Sequence, residues 1–280
     1  MYKNKTLNII KEEIFMKKFL VSLLVVVMSL SAFSMTGKEV IQTAKDRDTG
    51  KTLHALMGMD LVDKDGTVNP RTIEVWGETY DEANDLSRII MEFKAPASVK
   101  DTRFLQVENK DRDDDKWIYL PALKRVRRIS SSEGSSSFMG SDFTYDDMET
   151  RDVEEDNHKL LREEKLGNYD CYVVESKAKN PEDSQYDKVI SWVTKEHFIV
   201  VKAELYSKKT KEVEKVLTVK QDLAKIDGIW TIFETTMENV ETGHKTKLYI
   251  KRSKSGAPYI EYNKPINPAR FTQKYLQTGR

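Results

Sequence analysis

Only one cysteine, Cys171, occurs in the 280 residues of the chain. A domain with a single thiol folds without an internal disulfide, so a hydrophobic core must stabilise it. Cys171 stands within an alternating pattern at residues 169–174 that is typical of a strand. In such a position a small buried thiol is commoner than a nucleophile.

Recognisable catalytic and metal-binding motifs are also lacking. The four histidines stand one per region, and no two of them have the spacing of a metal-binding motif. The sequence has no Gly-x-Ser-x-Gly elbow and no glycine-rich phosphate loop. These absences predict that the protein is not an enzyme and that it holds no metal or other cofactor. The histidines are His54, His158, His197 and His244.

No apolar run approaches the length of a membrane-spanning helix. The longest, residues 19–30, has about a dozen residues, whereas a spanning helix needs about 20. Lys17 and Lys18 precede this run and the small residues Ala32 and Ser34 follow it, which is the pattern of a bacterial secretory signal peptide. We therefore predict cleavage near Ser34, with a membrane anchor as the alternative.

This prediction divides the chain and places it in the cell. Residues 1–34 are expected to be a signal peptide with an N-terminal extension, because residues 1–15 fit no export signal. Residues 35–280 are expected to form a single domain. No cysteine stands at the cleavage junction, where a lipid-modified lipoprotein would need one. The mature chain is thus expected in the periplasm without a permanent membrane anchor.

Neither sign of charge is in excess, with 46 Lys and Arg against 46 Asp and Glu. Residues 1–34 carry five Lys and two Glu, so their removal leaves 41 basic and 44 acidic residues. A protein that binds nucleic acid or anionic membranes in general would show a basic excess. This balance argues against both functions.

What the sequence does contain is a short helix followed by many strands. Thr36 begins a helical pattern that Gly50 can end, and beyond it the apolar residues alternate with polar ones. Short turns without crossover helices predict an antiparallel meander of about ten strands curled into a barrel or half-barrel. The ten segments are residues 52–62, 71–78, 86–94, 103–108, 169–176, 188–194, 198–206, 213–221, 229–240 and 245–251.

The middle of the chain differs in character. Residues 116–121 form a strand pattern that stops at Pro121, and residues 123–129 place four cations among apolar residues. The serine-rich tract at residues 130–137 is predicted to be flexible. Large apolar residues follow it directly, and a solvated linker would not expose them.

This middle segment resembles a known family. The patterns Trp-x-Tyr-Leu-Pro-x-x-Lys-Arg-x-Arg-Arg-Ile, from Trp117, and Phe-Met-Gly-Ser-Asp-Phe-x-Tyr-x-Asp-Met, from Phe138, are similar to the signature of exported outer-membrane lipoprotein-sorting proteins related to the LolA carrier. The resemblance implies an incomplete antiparallel β-barrel with an N-terminal helix and a helical or loop lid. It also implies an apolar cavity that holds an acyl chain.

We expect particular apolar residues to form that cavity and its lid, although each could instead simply fill the core. Residues 130–148 are predicted to be a flap that opens, because the serine-rich tract lowers the cost of moving it. The expected cavity and lid residues are Met91, Phe93, Trp117, Tyr119, Phe138, Met139, Phe143, Trp192 and Trp230.

The basic cluster allows three interpretations. Its cations could contact lipid headgroup phosphates or an acidic partner, since arginine binds such groups well. They could instead pair within the chain, or they could form a solvated strand face. The cluster consists of Lys124, Arg125, Arg127 and Arg128. The candidate internal partners are Asp142, Asp146, Asp147, Glu149 and Asp152.

Together these features predict a periplasmic carrier or chaperone that binds acyl chains of lipoproteins or lipids for transfer toward the outer membrane. An inner-membrane transporter complex or an outer-membrane acceptor is an expected partner, and nucleic acid is not. The alternative is a periplasmic sensor module of the same fold that detects lipids and signals through protein contacts at residues 124–128.

Overall fold

The computed structural model describes residues 35–280. The predicted signal peptide and N-terminal extension, with the cleavage point after Ser34, lie outside the described residues. Residues 37–280 form one compact unit.

The first half of this unit is a meander of six strands in which each strand pairs antiparallel with the next. Alternation of apolar and polar residues produces them, since one set of side chains enters the core and the other set does not. The strands are β1 (Thr52–Val62), β2 (Val68–Asp81), β3 (Leu86–Ala95), β4 (Arg103–Val107), β5 (Asp115–Leu120) and β6 (Arg125–Ile129).

The second half is a longer succession of strands that are also paired antiparallel. One pair, β12 with β13, forms a separate two-stranded ribbon, and the others belong to the main sheet. The strands are β7 (Asp156–Leu166), β8 (Tyr169–Ala178), β9 (Tyr186–Thr194), β10 (Val200–Ser207), β11 (Val213–Val219), β12 (Ala224–Ile226), β13 (Ile229–Thr231), β14 (Glu234–Asn239), β15 (Lys245–Ile250) and β16 (Ile260–Tyr262).

A single 14-stranded sheet joins the two halves through β1. Its order is β6-β5-β4-β3-β2-β1-β15-β14-β11-β10-β9-β8-β7, and β16 pairs with the beginning of β1. Strands β6 and β7 are the two edges and do not pair with each other. The curved sheet is therefore not closed into a barrel. This confirms the predicted incomplete antiparallel barrel.

Two short helices of residues 35–280 pack on the sheet. Helix α1 (Gly37–Lys45) buries Val40 and lies against β7 and β8. A Cβ atom added at Gly37 would lie 2.6 Å from the backbone nitrogen of Leu160, so only glycine allows the helix to approach β7 this closely. Helix α2 (Gln273–Thr278) is capped by the Thr272 hydroxyl, which accepts a hydrogen bond from the Tyr275 backbone amide.

The sheet has two faces with different coverings. We call the face that carries Phe93 and Phe104 the inner face, and the other the outer face. The C-terminal residues Phe271, Tyr275 and Leu276 cover the outer face of β2 to β5 and bury it.

The structure differs from the sequence-based strand assignment in a few places. The predicted strand at residues 229–240 divides into β13 and β14, and β7, β12, β16 and α2 were not predicted. The serine-rich tract forms a 3-10 turn at Ser131–Glu133, closed by a capping box between Ser130 and Glu133, where a flexible tract was expected.

Candidate functional site

An apolar cluster occupies the inner face of the first six strands. Its buried members come from β1 to β6 and from the chain after β6, and partly buried aliphatic and methionine side chains surround them. The buried members are Met59, Leu61, Ile73, Val75, Phe93, Phe104, Ile118, Ile129, Phe138 and Tyr145. The partly buried ones are Met57, Ile89, Met91, Val99, Leu120, Met139 and Leu248.

Residues 134–148, which we call the crossing segment, lie on this face. Phe138 is fully buried, and its ring centroid lies 5.2 Å from that of Phe104 and 5.7 Å from that of Tyr145, both in edge-on geometry. Phe93 lies on its other side at 6.1 Å. In the structure Phe138 is therefore a core residue. Opening of the flap stays a prediction.

A tight turn forms the tip of the crossing segment. Met139 and Gly140 both have left-handed backbone conformations, with φ of 53° and 76°. The Phe138 amide donates to the Phe143 carbonyl at 2.8 Å and closes the turn. The Arg71 guanidinium on β2 donates to the Met139 carbonyl at 2.5 Å and fixes the tip to the sheet.

The first polar attachment of the segment is at Asp142, a buried residue. Its carboxylate accepts a hydrogen bond from the Thr246 hydroxyl at 2.7 Å and lies 2.7 Å from the Nδ1 atom of His244. The Thr246 hydroxyl in turn accepts from the Asp142 backbone amide at 2.8 Å. This group ties the segment to the start of β15.

The second attachment is at Lys116 on β5, whose side chain is buried on the inner face. Its ammonium group pairs with Glu149 and lies 3.5 Å from Asp146. Burial raises the pKa of both carboxyl groups, and the nearby ammonium opposes that shift. The lysine thus holds the end of the segment near the β6 edge.

The third attachment is at Asp147, which pairs with Lys215 of β11 at 3.3 Å. The Tyr186 hydroxyl donates to the same carboxylate at 3.0 Å. Burial, together with the Asp147 carboxylate, raises the pKa of Tyr186 far above its ordinary value. The segment is therefore anchored to both halves of the sheet.

The nine predicted cavity and lid residues lie in four different apolar clusters. Met91, Phe93, Phe138 and Met139 lie together in the inner cluster, and Phe143 joins a neighbouring apolar cluster. That cluster also contains Tyr186, Ala203, Leu205 and Met237.

The remaining four residues lie elsewhere. Trp117 and Tyr119 pack on the outer face beside helix α2, because they alternate with Ile118 along β5. Trp192 pairs across the sheet with Val173 and Lys202, in a cluster separate from the inner one. Trp230 stacks on His197 with ring centroids 3.8 Å apart. One cavity lined by all nine residues therefore does not form in residues 35–280, and ligand contact by any of the nine stays a prediction.

The basic cluster is divided between paired and unpaired cations. Arg127 pairs with Glu133, and Arg128 lies 2.7 Å from Asp115. Lys124 and Arg125 are exposed, and no ion pair joins either of them to another residue of the described chain. The acidic residues that were candidate internal partners pair instead with Lys116, Lys215, His244 and Lys45.

The histidines and the cysteine have structural contacts. His54 stacks on Trp76 with ring centroids 5.2 Å apart, and His158 hydrogen-bonds to Ser176 at 2.8 Å. Burial, with Asp170 and Glu164 adding to it, raises the pKa of Cys171 to about 11, which disfavours a thiolate. Within residues 35–280 no group of three or more His, Cys, Asp or Glu side chains could hold a metal ion.

Sequence reasoning missed the buried cations that anchor the crossing segment. Lys215 shares a face of β11 with Leu217 and Val219, so its inward direction was readable from the sequence. Lys116 shares a face with Ile118 for the same reason. A lysine at an inward position of an apolar strand was the available signal, since such a group is buried only when paired.

A family model described as "Uncharacterized protein" matches residues 85–278. A putative outer membrane lipoprotein-sorting protein domain from Vibrio parahaemolyticus is 30% identical, with a TM-score of 0.76, over 86% of this chain and 98% of the other. The chain belongs to the outer-membrane lipoprotein-sorting protein family. Its predicted family resemblance is thereby confirmed.

Two further structures resemble this lipoprotein-sorting family member. A DUF1329 family protein from Desulfovibrio piger is 29% identical, with a TM-score of 0.77, over 86% of this chain and 97% of the other. A LolA superfamily protein from Nitrosomonas europaea is 20% identical, with a TM-score of 0.63, over 86% and 100%. The latter shows the LolA-like fold. No curated protein matches the chain. None of the helices in residues 35–280 is long and apolar enough to span a membrane.

Proposed function

We propose that the protein is a periplasmic carrier that holds the acyl chains of lipoproteins or lipids against the inner face and conveys them toward the outer membrane. The observation that carries this proposal is the row of partly exposed methionine and aliphatic side chains beside the crossing segment. Membership of the family supports it, because the Vibrio parahaemolyticus relative bears the description of a lipoprotein-sorting domain.

The side chains on this face suit an acyl chain of variable length. Met57, Met91 and Met139 are unbranched and have three rotatable bonds each, so they can repack around different ligands. An acyl chain transferred from water to such a surface gains about 0.8 kcal/mol for each buried CH₂ group. Binding of this kind needs shape and apolar area rather than a reactive group, and the proposed role is non-enzymatic.

Loading would require the crossing segment to move away from the inner face. Phe138 then leaves its contacts with Phe93 and Phe104, and the acyl chain takes its place among the same side chains. The apolar area lost by the segment is replaced by that of the ligand, so the apolar part of the exchange costs little free energy. An inner-membrane transporter or an outer-membrane acceptor is the proposed source or destination of the cargo.

Native mass spectrometry of protein purified from the periplasm tests the proposal. We expect acyl material to co-purify with the protein. We also expect the intact mass to be that of a chain that begins at residue 35. Uptake of a fluorescent fatty acid should weaken about ten-fold in Met91→Gln, since a buried polar amide without a partner costs about 1–3 kcal/mol.

Leu123→Gln is the matched control, because Leu123 is exposed in the turn before β6 and does not belong to the inner cluster. It should take up the fatty acid like the unaltered protein. Absence of co-purified lipid together with no fatty-acid uptake would contradict the carrier proposal. Equal loss in the two variants would show that the inner face is not the binding surface.

A further inference from the structure

Strand β6 presents a free backbone edge. It pairs with β5 along Arg125–Ile129, and no backbone hydrogen bond joins its other side to any residue of the described chain. The amide and carbonyl groups on that side can accept another strand, as the exposed edge of any sheet can.

The charge along this edge has one sign. Strand β6 contains three arginines and no acidic residue, and Lys124 precedes it. Lys124 and Arg125 are exposed without an acidic partner among residues 35–280, and the Arg128 side chain retains 61% of its exposure despite its pairing with Asp115. The cations available to a partner therefore lie along the free edge on both faces of the sheet, Arg125 on the inner face and Arg128 on the outer face.

An apolar contact point adjoins these cations. The Leu123 side chain is 54% exposed immediately before Lys124. Val126 is half-buried on the outer face, where it packs with the partly exposed Trp117 and Tyr119. Along β6, Val126 and Arg128 lie on the outer face and Arg125 on the inner face. A strand added to β6 would therefore place one set of alternate side chains beside Val126 and Arg128 and the other set beside Arg125.

The opposite edge of the sheet is different. Strand β7 contains three acidic and three basic residues, and several pair locally, such as Arg162 with Glu164 at 2.6 Å. Two β6 edges from separate copies of the chain would repel each other, because like charges would lie opposite one another. A second copy is thus a poor occupant, and an acidic strand is a good one.

We propose that the β6 edge and residues 123–128 bind an extended acidic segment of a partner protein by strand addition. The segment would span about five residues, the length of β6, with carboxylates beside Lys124, Arg125 and Arg128. This interaction does not require acyl-chain binding, because the inner cluster includes Ile129 of β6 but none of these cations.

Fluorescence anisotropy with a labelled peptide of alternating glutamate and valine residues tests this proposal on the purified protein. We expect Lys124→Glu to weaken binding about five-fold, since it turns an attractive charge contact at the start of the edge into a repulsive one. Lys159→Glu on β7 is the matched control, because it makes the same charge change at an exposed position of the other edge and should leave binding unchanged.

A second probe separates strand addition from simple charge attraction. The same peptide methylated at alternate backbone nitrogens keeps its charge but loses its backbone donors, and we expect it to bind at least about ten-fold more weakly. Equal affinity of the methylated peptide would overturn the proposal. So would equal loss in Lys124→Glu and Lys159→Glu, no peptide binding at millimolar concentration, or binding only to vesicles that contain anionic phospholipid.

Discussion

The carboxylate of Asp147 lies 3.3 Å from the ammonium group of Lys215, and each side chain retains only 7% of its exposure. Asp147 also accepts hydrogen bonds from the Tyr186 hydroxyl at 3.0 Å and from the Thr144 amide at 2.8 Å. Burial of a charged carboxylate costs much free energy unless such donors and a counter-charge remain beside it. The pair therefore makes the position of the crossing segment dependent on β11.

Removal of one member of this pair should destabilise the protein strongly. Lys215→Met leaves Asp147 buried without its counter-charge, and we expect the free energy of unfolding to fall by about 3 kcal/mol in urea denaturation. Lys215→Met with Asp147→Asn should recover part of that loss. Lys188→Met is the control, since its pair with Glu175 is partly exposed and contributes at most about 1 kcal/mol. A similar loss in both lysine variants would contradict this account.

The Asp142 attachment predicts local opening. Thr246→Val keeps the side-chain shape but removes the hydroxyl that bonds to both the carboxylate and the amide of Asp142. Hydrogen exchange of the amides in residues 136–145 should accelerate on the order of ten-fold, as expected for a lost buried hydrogen bond. Thr218→Val, at an exposed position of β11, should change nothing. Equal acceleration throughout the sheet would mean that the segment does not open separately.

The burial of Phe138 predicts a large cost for its truncation. Phe138→Ala removes the ring that packs among three other aromatic rings, and we expect a loss of about 3 kcal/mol or more in the free energy of unfolding. Phe198→Ala makes the same change at a partly exposed site and should cost less. If thermal denaturation shows Phe138→Ala to be as stable as the unaltered protein, the segment is not packed on the inner face in solution.

The raised pKa of Asp114 predicts that the stability of the protein depends on pH. Burial, with the Glu149 and Glu108 carboxylates adding to it, raises the pKa of Asp114 to about 6, although a hydrogen bond from Gln106 opposes the shift. In the unfolded chain the pKa is about 3.9. The folded protein therefore keeps a proton between pH 4 and pH 6 that the unfolded chain releases. Stability falls as pH rises through this window.

The variant Asp114→Asn removes this titration. We expect it to be more stable than the unaltered protein at pH 8 by roughly 1 kcal/mol, after allowance for screening by water, and equally stable near pH 3.5. Urea denaturation at the two pH values measures the difference. Asp111→Asn, at an exposed position nearby, should show no difference at either pH, and a pH-independent effect of Asp114→Asn would refute the assignment.

The strands that could be predicted from the sequence are those in which apolar and polar residues clearly alternate. Strand β1 was expected at residues 52–62 and is found there, because every second residue from Leu53 to Leu61 packs in an apolar cluster. Strand β7 was missed because it is an edge strand with six charged residues and an irregular register between Leu160 and Arg162. Its formation depends on β8 rather than on a pattern of its own.

The site was less predictable than the fold. Alternation places Trp117 and Tyr119 on one face of β5 and Ile118 on the other, but it does not say which face meets Phe93. That choice depends on the register between β3, β4 and β5, which no local pattern contains. The covering of the outer face by α2 likewise depends on contacts between residues far apart in sequence.

Strands β6 and β7 follow each other in the chain but stand at opposite edges of the sheet. Residues 130–155 return from one edge to the other, so the sheet and this connection together form a continuous loop of polypeptide. Thirteen strands side by side span about 58 Å if flat, whereas a connection of this length reaches about 85 Å when extended. The connection has length to spare. If the crossing segment opens as predicted, this length allows it to bow outward while both ends of the connection remain fixed, and no strand pair of the sheet has to be lost.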